Sequence, residues 1–186
     1  MRWMWIDRVI ELKPRERLVA IKNVSLAEEH LHDHFAADVE RGLGAAPVMP
    51  GSLMLEGMAQ TGGVLVGHAE NFAYNVVLAK INRAEISKDA TAGDTLRYTA
   101  VIERMDAIGA TVKGTIHRLR HASVHAAKSS GAAVTDEGWE QIGSVEMMFS
   151  HLDNNMGGGG QAGRDYPARN FVFGESFKTL LKSSGY

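Results

Sequence analysis

Apolar and polar residues alternate along several short stretches of the chain, with turn residues between them. The alternation is clearest where apolar Leu96, Tyr98, Ala100 and Ile102 are interleaved with Arg97, Thr99 and Glu103. A period of two is typical of a half-buried β-strand. The pattern predicts five or six strands, with candidates at residues 5–12, 17–25, 76–84, 95–105, 110–119 and 141–151. Turns are predicted at 13–16, which contains Pro14, and at Gly93-Asp94.

A single long run, residues 51–67, is apolar on nearly every face. Its Leu, Met and Ala content favours helix over strand, and Pro50 stands where helices often begin. At a rise of about 1.5 Å per residue the helix would span about 25 Å. A helix without a polar face is expected to be buried on nearly every face. Its several glycines would let neighbouring elements approach closely.

These elements predict an α+β fold, in which an antiparallel sheet wraps around one long central helix. A single sheet would leave part of that helix uncovered, so a second subunit is expected. We predict a folded domain at residues 1–153, with a polar insertion near 121–138. Residues 154–186 are predicted to be a Gly-rich linker and a C-terminal tail.

Composition narrows the functional classes. The formal net charge of −2 argues against general nucleic-acid binding. The absence of cysteine excludes disulfides and a Cys-ligated zinc site. The sequence contains neither an apolar signal-peptide core nor an uncharged apolar stretch of about 18 residues that could span a membrane. We therefore expect a cytoplasmic protein without a membrane span.

Glu56 is the candidate for chemistry within the apolar helix. Burial disfavours the charged form of a carboxyl group, which suits a group that donates a proton. Gln60 is four residues further on, one helical turn away, and would hold Glu56 in a fixed orientation. A purely structural carboxylate, satisfied by backbone groups or facing solvent, is the alternative.

The start of this helix is a second candidate site. The first amides of a helix have no partner within it and lie at the positive end of its dipole. Gly51 would let its N–H reach a substrate carbonyl and stabilise an enolate. A simple Pro-Gly turn is the alternative. Ser52 lacks the Gly-x-Ser-x-Gly context of a nucleophile and suits a first helical turn.

Histidines precede the helix in the segment 27–47, which is predicted to be irregular. A loop histidine such as His34 is, taken alone, more often a surface residue than a catalytic base. His30, His32 and His34 alternate, so a strand could present them as metal ligands, although this spacing is common. His117, His121 and His125 have helical spacing and more plausibly form a solvated face. We expect no metal and no cofactor.

Together these residues resemble a known family. The segments His34-Phe35, Pro47-Val48-Met49-Pro50-Gly51 and Leu53-x-Leu-Glu56-x-Met-Ala-Gln60 are similar to the signature of the 3-hydroxyacyl-[acyl-carrier-protein] dehydratases. Asp7-Arg8-Val9, residues 22–25 and Ala92-Gly93-Asp94 also resemble that family, and the similarity fades beyond about Leu119. It therefore covers roughly two-thirds of the chain.

The resemblance implies a hot-dog fold that forms homodimers, with active sites at the subunit interface. It implies that His34 is the base that takes the C2 proton of the substrate and that Glu56 protonates the departing 3-hydroxyl. The Gly51 N–H would hold the thioester carbonyl, and Gln60 would orient Glu56. Ser52 and Phe35 complete the expected substrate-binding residues. The product would be a trans-2-enoyl thioester, on acyl-carrier protein or on coenzyme A.

The chain departs from the family pattern in the segment between the histidine and the helix. His34 and Pro50 are 16 positions apart, a longer gap than the family has, so residues 36–46 are predicted to be an insertion that could reshape or block the pocket. A glutamate at position 56 resembles the dehydratase-only branch of the family. Two other functions stay open: a hot-dog acyl thioesterase, and a non-catalytic acyl-binding protein.

Overall fold

The computed structural model describes residues 3–33, 35–121, 138–152 and 172–186, and only the backbone of residues 32 and 33. In these ranges six strands form one antiparallel sheet around a long helix. The elements in chain order are β1 (Arg8–Lys13), β2 (Arg17–Asn23), α1 (Glu29–Asp33), α2 (Gly51–Ala69), β3 (Val76–Ile86), β4 (Asp94–Met105), β5 (Gly109–Arg120), β6 (Trp139–His151) and α3 (Glu175–Ser184). The α+β class and the hot-dog fold are confirmed.

The strand order across the sheet is β1-β2-β4-β5-β6-β3. The longest strands, β4, β5 and β6, pair in the middle, and α2 contacts every strand from β2 to β6. This arrangement buries α2 from Gly57 to Gly67, as its apolar composition predicts. Strands β1 and β3 form the two edges of the sheet.

Glycines on α2 allow this close contact. A Cβ atom on Gly57 would lie 2.7 Å from the Tyr98 ring on β4, and one on Gly62 would lie 2.9 Å from the Phe149 ring on β6. These distances leave no room for a side chain. Glycine lowers the helix propensity of α2, but it is required at these two positions because the sheet packs so closely against the helix.

Most predicted elements are confirmed within a few residues. The predicted strand at 5–12 begins only at Arg8, because residues 3–6 extend along α2 instead of pairing in the sheet. The helix predicted at 51–67 continues to Ala69. The turn at Gly93-Asp94 is present, with Gly93 at φ 91° and the Asp94 N–H donating to the Thr91 carbonyl over 3.0 Å.

The predicted irregular segment 27–47 contains a short helix, which corrects one of the alternatives above. Residues Glu29–Asp33 form α1, so His30 and His32 do not lie on a strand. Positions two apart in a helix do not share a face, and the hypothesis of a three-histidine metal strand is therefore wrong. The helical interpretation of His117 is also wrong, because His117 lies in β5 opposite Arg97 of β4.

Helix α3 lies in the segment that the sequence predicts to be a tail, and it packs against β1. Its Leu180 and Leu181 are buried, and the Val9 N–H of β1 donates to Ser184 Oγ over 3.1 Å. The insertion at 122–137 and the Gly-rich segment within 153–171 lie outside the described residues, so the domain division stays a prediction. No helix in the described ranges is long and apolar enough to cross a membrane.

Candidate active site

Glu56 and Gln60 meet on α2, as their spacing predicts. The Gln60 side chain donates from Nε2 to Glu56 Oε1 over 2.9 Å. Gln60 is buried and Glu56 is half-buried. The hydrogen bond therefore comes from the interior side of the carboxyl group, and part of Glu56 stays accessible. A carboxyl group oriented in this way can exchange a proton with a bound molecule.

The N-terminal segment holds Gln60 from the other side. The Trp5 N–H donates to Gln60 Oε1 over 2.9 Å, and Gln60 Nε2 donates to the Trp3 carbonyl over 2.8 Å. These contacts join residues 55 and 57 positions apart. Sequence analysis missed them, because a side-chain contact to distant backbone has no signature in the sequence.

The N-terminus of α2 presents the amides that the sequence suggests. Pro50 precedes the helix, and its carbonyl accepts from Leu53 N–H at 2.9 Å and from Met54 N–H at 3.3 Å. The amides of Gly51 and Ser52 come before these and have no carbonyl partner within the helix. Ser52 is exposed, and a Cβ atom on Gly51 would already touch the Ile86 side chain at 3.4 Å. The first turn therefore offers N–H donors about 7.5 Å along the axis from Glu56.

The predicted base, His34, lies outside the described residues. Phe35, which follows it, is 63% exposed and has φ 60°. A bulky residue rarely adopts this left-handed conformation, and such backbone strain concentrates at functional sites.

The insertion at 36–46 folds back on itself. Asp38 and Leu43 form an antiparallel bridge in which each N–H donates to the other's carbonyl over 2.9 Å. At its base the Ala46 N–H donates to the Phe35 carbonyl, also over 2.9 Å. The insertion is thus a small hairpin whose two ends meet, and its Val39 is 88% exposed. The closed base brings Phe35 next to the segment that leads into α2, despite the ten residues between Phe35 and Ala46.

Tyr98 of β4 lies beneath this part of α2, against Gly57. Burial raises the pKa of its hydroxyl, and the negative charges of Asp7 and Glu28 raise it further. Tyr98 is therefore a neutral hydroxyl at any physiological pH. Its oxygen has no hydrogen-bond partner among the described residues.

Other features of the surface do not involve the predicted site residues. An open groove of about 400 Å³ is lined by residues of β3 to β6 and of the turn that contains Asp106, but by no residue of α2. Within the described part of the chain, no group of three or more His, Asp or Glu residues could hold a metal ion. Glu56 and the start of α2 remain the one place where the predicted site residues come together in that part.

An antiparallel sheet wrapped around one buried helix defines the chain as a hot-dog-fold protein. Residues 2–121 match the family model of the FabA-like domain, which is well over half of the chain. The chain belongs to this family. The matched region contains the whole of the motif from His34 to Gln60, and it ends close to Leu119, where the resemblance was expected to fade.

Several proteins similar to this chain have names that include the dehydratase FabZ. The 3-hydroxyacyl-[acyl-carrier-protein] dehydratase FabZ of Symbiobacterium thermophilum is 41% identical over 96 residues, which cover 51% of this chain and 62% of the relative. The dehydratase FabZ of Pelotomaculum thermopropionicum is 30% identical over 149 residues, 80% of this chain and 87% of the relative. The bifunctional enzyme LpxC/FabZ of Chlorobaculum tepidum is 37% identical over 105 residues, which are 55% of this chain and only 21% of that enzyme. The chain therefore spans less than two-thirds of two of these three relatives.

Solved structures share the fold at low sequence identity. AziG of S. sahachiroi has a TM-score of 0.54 and 12% identity, covering 78% of this chain and 90% of that one. An acyl-CoA hydrolase from Staphylococcus aureus has a TM-score of 0.51 and 15% identity, covering 78% and 72%. At these identities the likeness shows the fold alone.

Proposed function

We propose that the protein dehydrates a (3R)-3-hydroxyacyl thioester to a trans-2-enoyl thioester in fatty-acid or lipid biosynthesis. The observation that carries the proposal is the hydrogen bond from Gln60 to Glu56, which orients a half-buried carboxyl group on the central helix of a FabA-like chain. Membership of this family and the names of the relatives support the same reaction. The acyl-carrier protein in those names is the proposed carrier of the substrate, with coenzyme A as the other candidate.

Dehydration needs a base, an acid and a site that stabilises the enolate, and the proposed residues supply all three. His34 takes a proton from C2, and the electrons form an enolate whose oxygen accepts from the Gly51 N–H. Glu56 donates its proton to the 3-hydroxyl, the C3–O bond breaks, and water leaves as the C2–C3 double bond forms. His34 is then protonated and Glu56 ionised, and proton exchange with solvent restores both.

The remaining residues have binding roles in this proposal. Ser52 is exposed on the first turn of α2, where its amide adds to the positive end of the helix dipole. Phe35 supplies an exposed apolar side chain to the site, and its own backbone is strained at φ 60°.

We also propose that two copies form the active sites together. Strand β3 is an edge of the sheet, and eight of its eleven residues are exposed. An exposed edge of this length is a template for pairing with another strand. Pairing with β3 of a second copy around a two-fold axis would extend the sheet and cover this edge in both subunits. A cytoplasmic location is part of the same proposal.

The test is hydration of a short trans-2-enoyl thioester, the reverse reaction, followed by loss of the conjugated enoyl group. We expect the wild-type protein to turn it over. Glu56→Gln and His34→Ala should each lower kcat by about 10²–10⁴-fold, the usual contribution of one general acid or base. Carrier-linked and coenzyme A-linked substrates should be compared in parallel.

Glu103→Gln is a matched control, because Glu103 is exposed on β4 and forms a surface ion pair with Lys113. It should keep wild-type turnover. Release of free thiol without hydration would instead support the acyl-thioesterase function. Tight thioester binding with no turnover of either substrate would support a non-catalytic acyl-binding protein and contradict the proposal.

A further inference from the structure

The amide of Gln60 can adopt only one of its two orientations. A glutamine side chain has one acceptor oxygen and one NH₂ donor group. The Trp5 N–H is a donor, so it requires the oxygen Oε1 on its side. The Trp3 carbonyl is an acceptor, so it requires Nε2 on the other side. A flipped amide would place its NH₂ group against the Trp5 N–H and its oxygen against the Trp3 carbonyl, leaving buried polar groups without hydrogen bonds.

The fixed orientation of the Gln60 amide also determines which oxygen of Glu56 accepts its hydrogen bond. Because Nε2 must face the Trp3 carbonyl, its second hydrogen points at Glu56 Oε1. A proton on Oε1 would point toward this N–H, whereas no residue in the described ranges donates to Oε2. Oε1 is thus the oxygen that accepts, in both the acid and the carboxylate form of Glu56.

We infer that the backbone of Trp3 and Trp5, acting through Gln60, places the transferable proton of Glu56 on Oε2. The inference rests on the proposed function and deepens it. Trp3 and Trp5 are positioning residues, since neither contacts the carboxyl group itself. The N-terminal segment, residues 3–6, thereby belongs to the acid side of the active site.

Residues 3–6 are held in place by contacts on both sides, so their backbone groups can orient Gln60. Trp5 is 7% exposed, and its ring makes edge contacts with the rings of Trp3 and His30, with centroids 5.3 and 5.0 Å apart. Just beyond it, the Asp7 N–H donates to the Ile21 carbonyl of β2 over 2.7 Å. The backbone groups that face Gln60 are therefore fixed on one side by aromatic packing and on the other by the sheet.

The experiment is a double-mutant cycle between Gln60→Leu and Glu56→Gln, measured as kcat and KM for enoyl-thioester hydration. Gln60→Leu should lower kcat by up to about 10²-fold, the cost of misplacing a catalytic group by 1 Å, and should leave KM nearly unchanged. In the Glu56→Gln background the same substitution should change kcat by less than about 2-fold, because it has no oriented acid left to act on.

A second pair of variants tests the Trp5 amide itself. Trp5→Ala and Trp5→Pro both lack the indole ring, but only proline also lacks the N–H. We expect Trp5→Pro to lower kcat as far as Gln60→Leu does, and Trp5→Ala to keep more of it. Adding Gln60→Leu to Trp5→Pro should cause no further loss. If the proline variant does not fold, an amide-to-ester replacement at Trp5 removes the same N–H and keeps the indole ring, and it should lower kcat as far as Gln60→Leu does.

Thr61→Val is the matched control on α2, because Thr61 is buried beside Gln60 and its hydroxyl donates to the Gly57 carbonyl over 2.7 Å. It should leave kcat unchanged. Losses that multiply independently in the cycle, or that fall on KM alone, would overturn the inference while leaving the dehydratase function intact. An inactive wild-type protein would overturn the proposed function and, with it, any proton transfer by Glu56.

Discussion

Three residues on α2, Glu56, Gly57 and Gln60, combine the candidate site with the close packing of the helix against the sheet. Glu56 is half-buried, and the buried Gln60 donates a hydrogen bond to its carboxyl group. Gly57, between them, lets the Tyr98 ring lie against the helix backbone. The Gln60 contact follows from a spacing of four, whereas the need for glycine at position 57 is visible only once β4 is in place.

Gly57→Ala should lower the free energy of unfolding, measured by chemical denaturation. Its Cβ would lie 2.7 Å from the buried Tyr98 ring, and overpacking of this kind typically costs about 1–3 kcal/mol. Because the helix must shift to relieve the contact, we also expect kcat to fall.

Gly63→Ala on the same helix is the matched control. There a Cβ would make an ordinary contact at 3.5 Å with Phe149, and alanine gains about 1 kcal/mol of helix propensity over glycine. This variant should be neutral or more stable. Equal stability of the two variants would contradict the close approach of Tyr98.

At the scale of elements, the segment just before α3 completes the core at the end of α2 opposite the candidate site. Phe173, just before α3, is 5% exposed and packs with Phe72 and Phe177, their ring centroids 5.2 and 5.5 Å away. A Cβ atom on Gly67 would lie 2.8 Å from the Phe173 ring. The small residues of α2 therefore admit an element from the far end of the chain as well as the sheet.

Phe173→Ala should destabilise the fold by about 3–5 kcal/mol, as removal of a buried aromatic ring usually does. Thermal and chemical unfolding would measure this. Lys178→Ala serves as the control: Lys178 lies on the exposed side of α3 in an ion pair with Glu175, and surface pairs contribute at most about 1 kcal/mol. A Phe173→Ala variant as stable as wild type would mean that α3 does not dock in solution.

At the scale of the whole molecule, the two edges of the sheet differ in what covers them. Edge strand β1 has α3 packed against it, while β3 presents exposed Leu78 and Ile81. This difference is why the proposed dimer uses β3. If each active site takes residues from two subunits, assembly and activity should be lost together.

Replacing both Leu78 and Ile81 by Glu should convert the dimer to a monomer and abolish turnover, because like charges would then face each other across the β3 edges. Sedimentation or light scattering would give the mass, which we expect to be twice that of one chain in the wild type. Ile10→Glu, at an exposed apolar position on the other edge strand, should stay dimeric. A monomeric wild type with full activity would contradict the shared site.

The sequence by itself determined the six strands, the central helix α2 and the local chemistry on that helix, but not the helices α1 and α3. A period of two predicted the strands, an unbroken apolar run predicted α2, and a spacing of four predicted the contact between Glu56 and Gln60. Each of these depends on neighbours within about one or two turns of the chain, so it can be inferred without knowing the fold.

Only the tertiary structure decided which distant segments meet. It brought Trp3 and Trp5 to Gln60, closed the hairpin at 36–46 and joined Val9 to Ser184, 175 positions away. Backbone amides and carbonyls are nearly the same in every residue, so the pattern of side chains does not predict which of them will form a given hydrogen bond. Their partners are fixed only when α2 is enclosed and the buried backbone N–H and C=O groups must find hydrogen bonds.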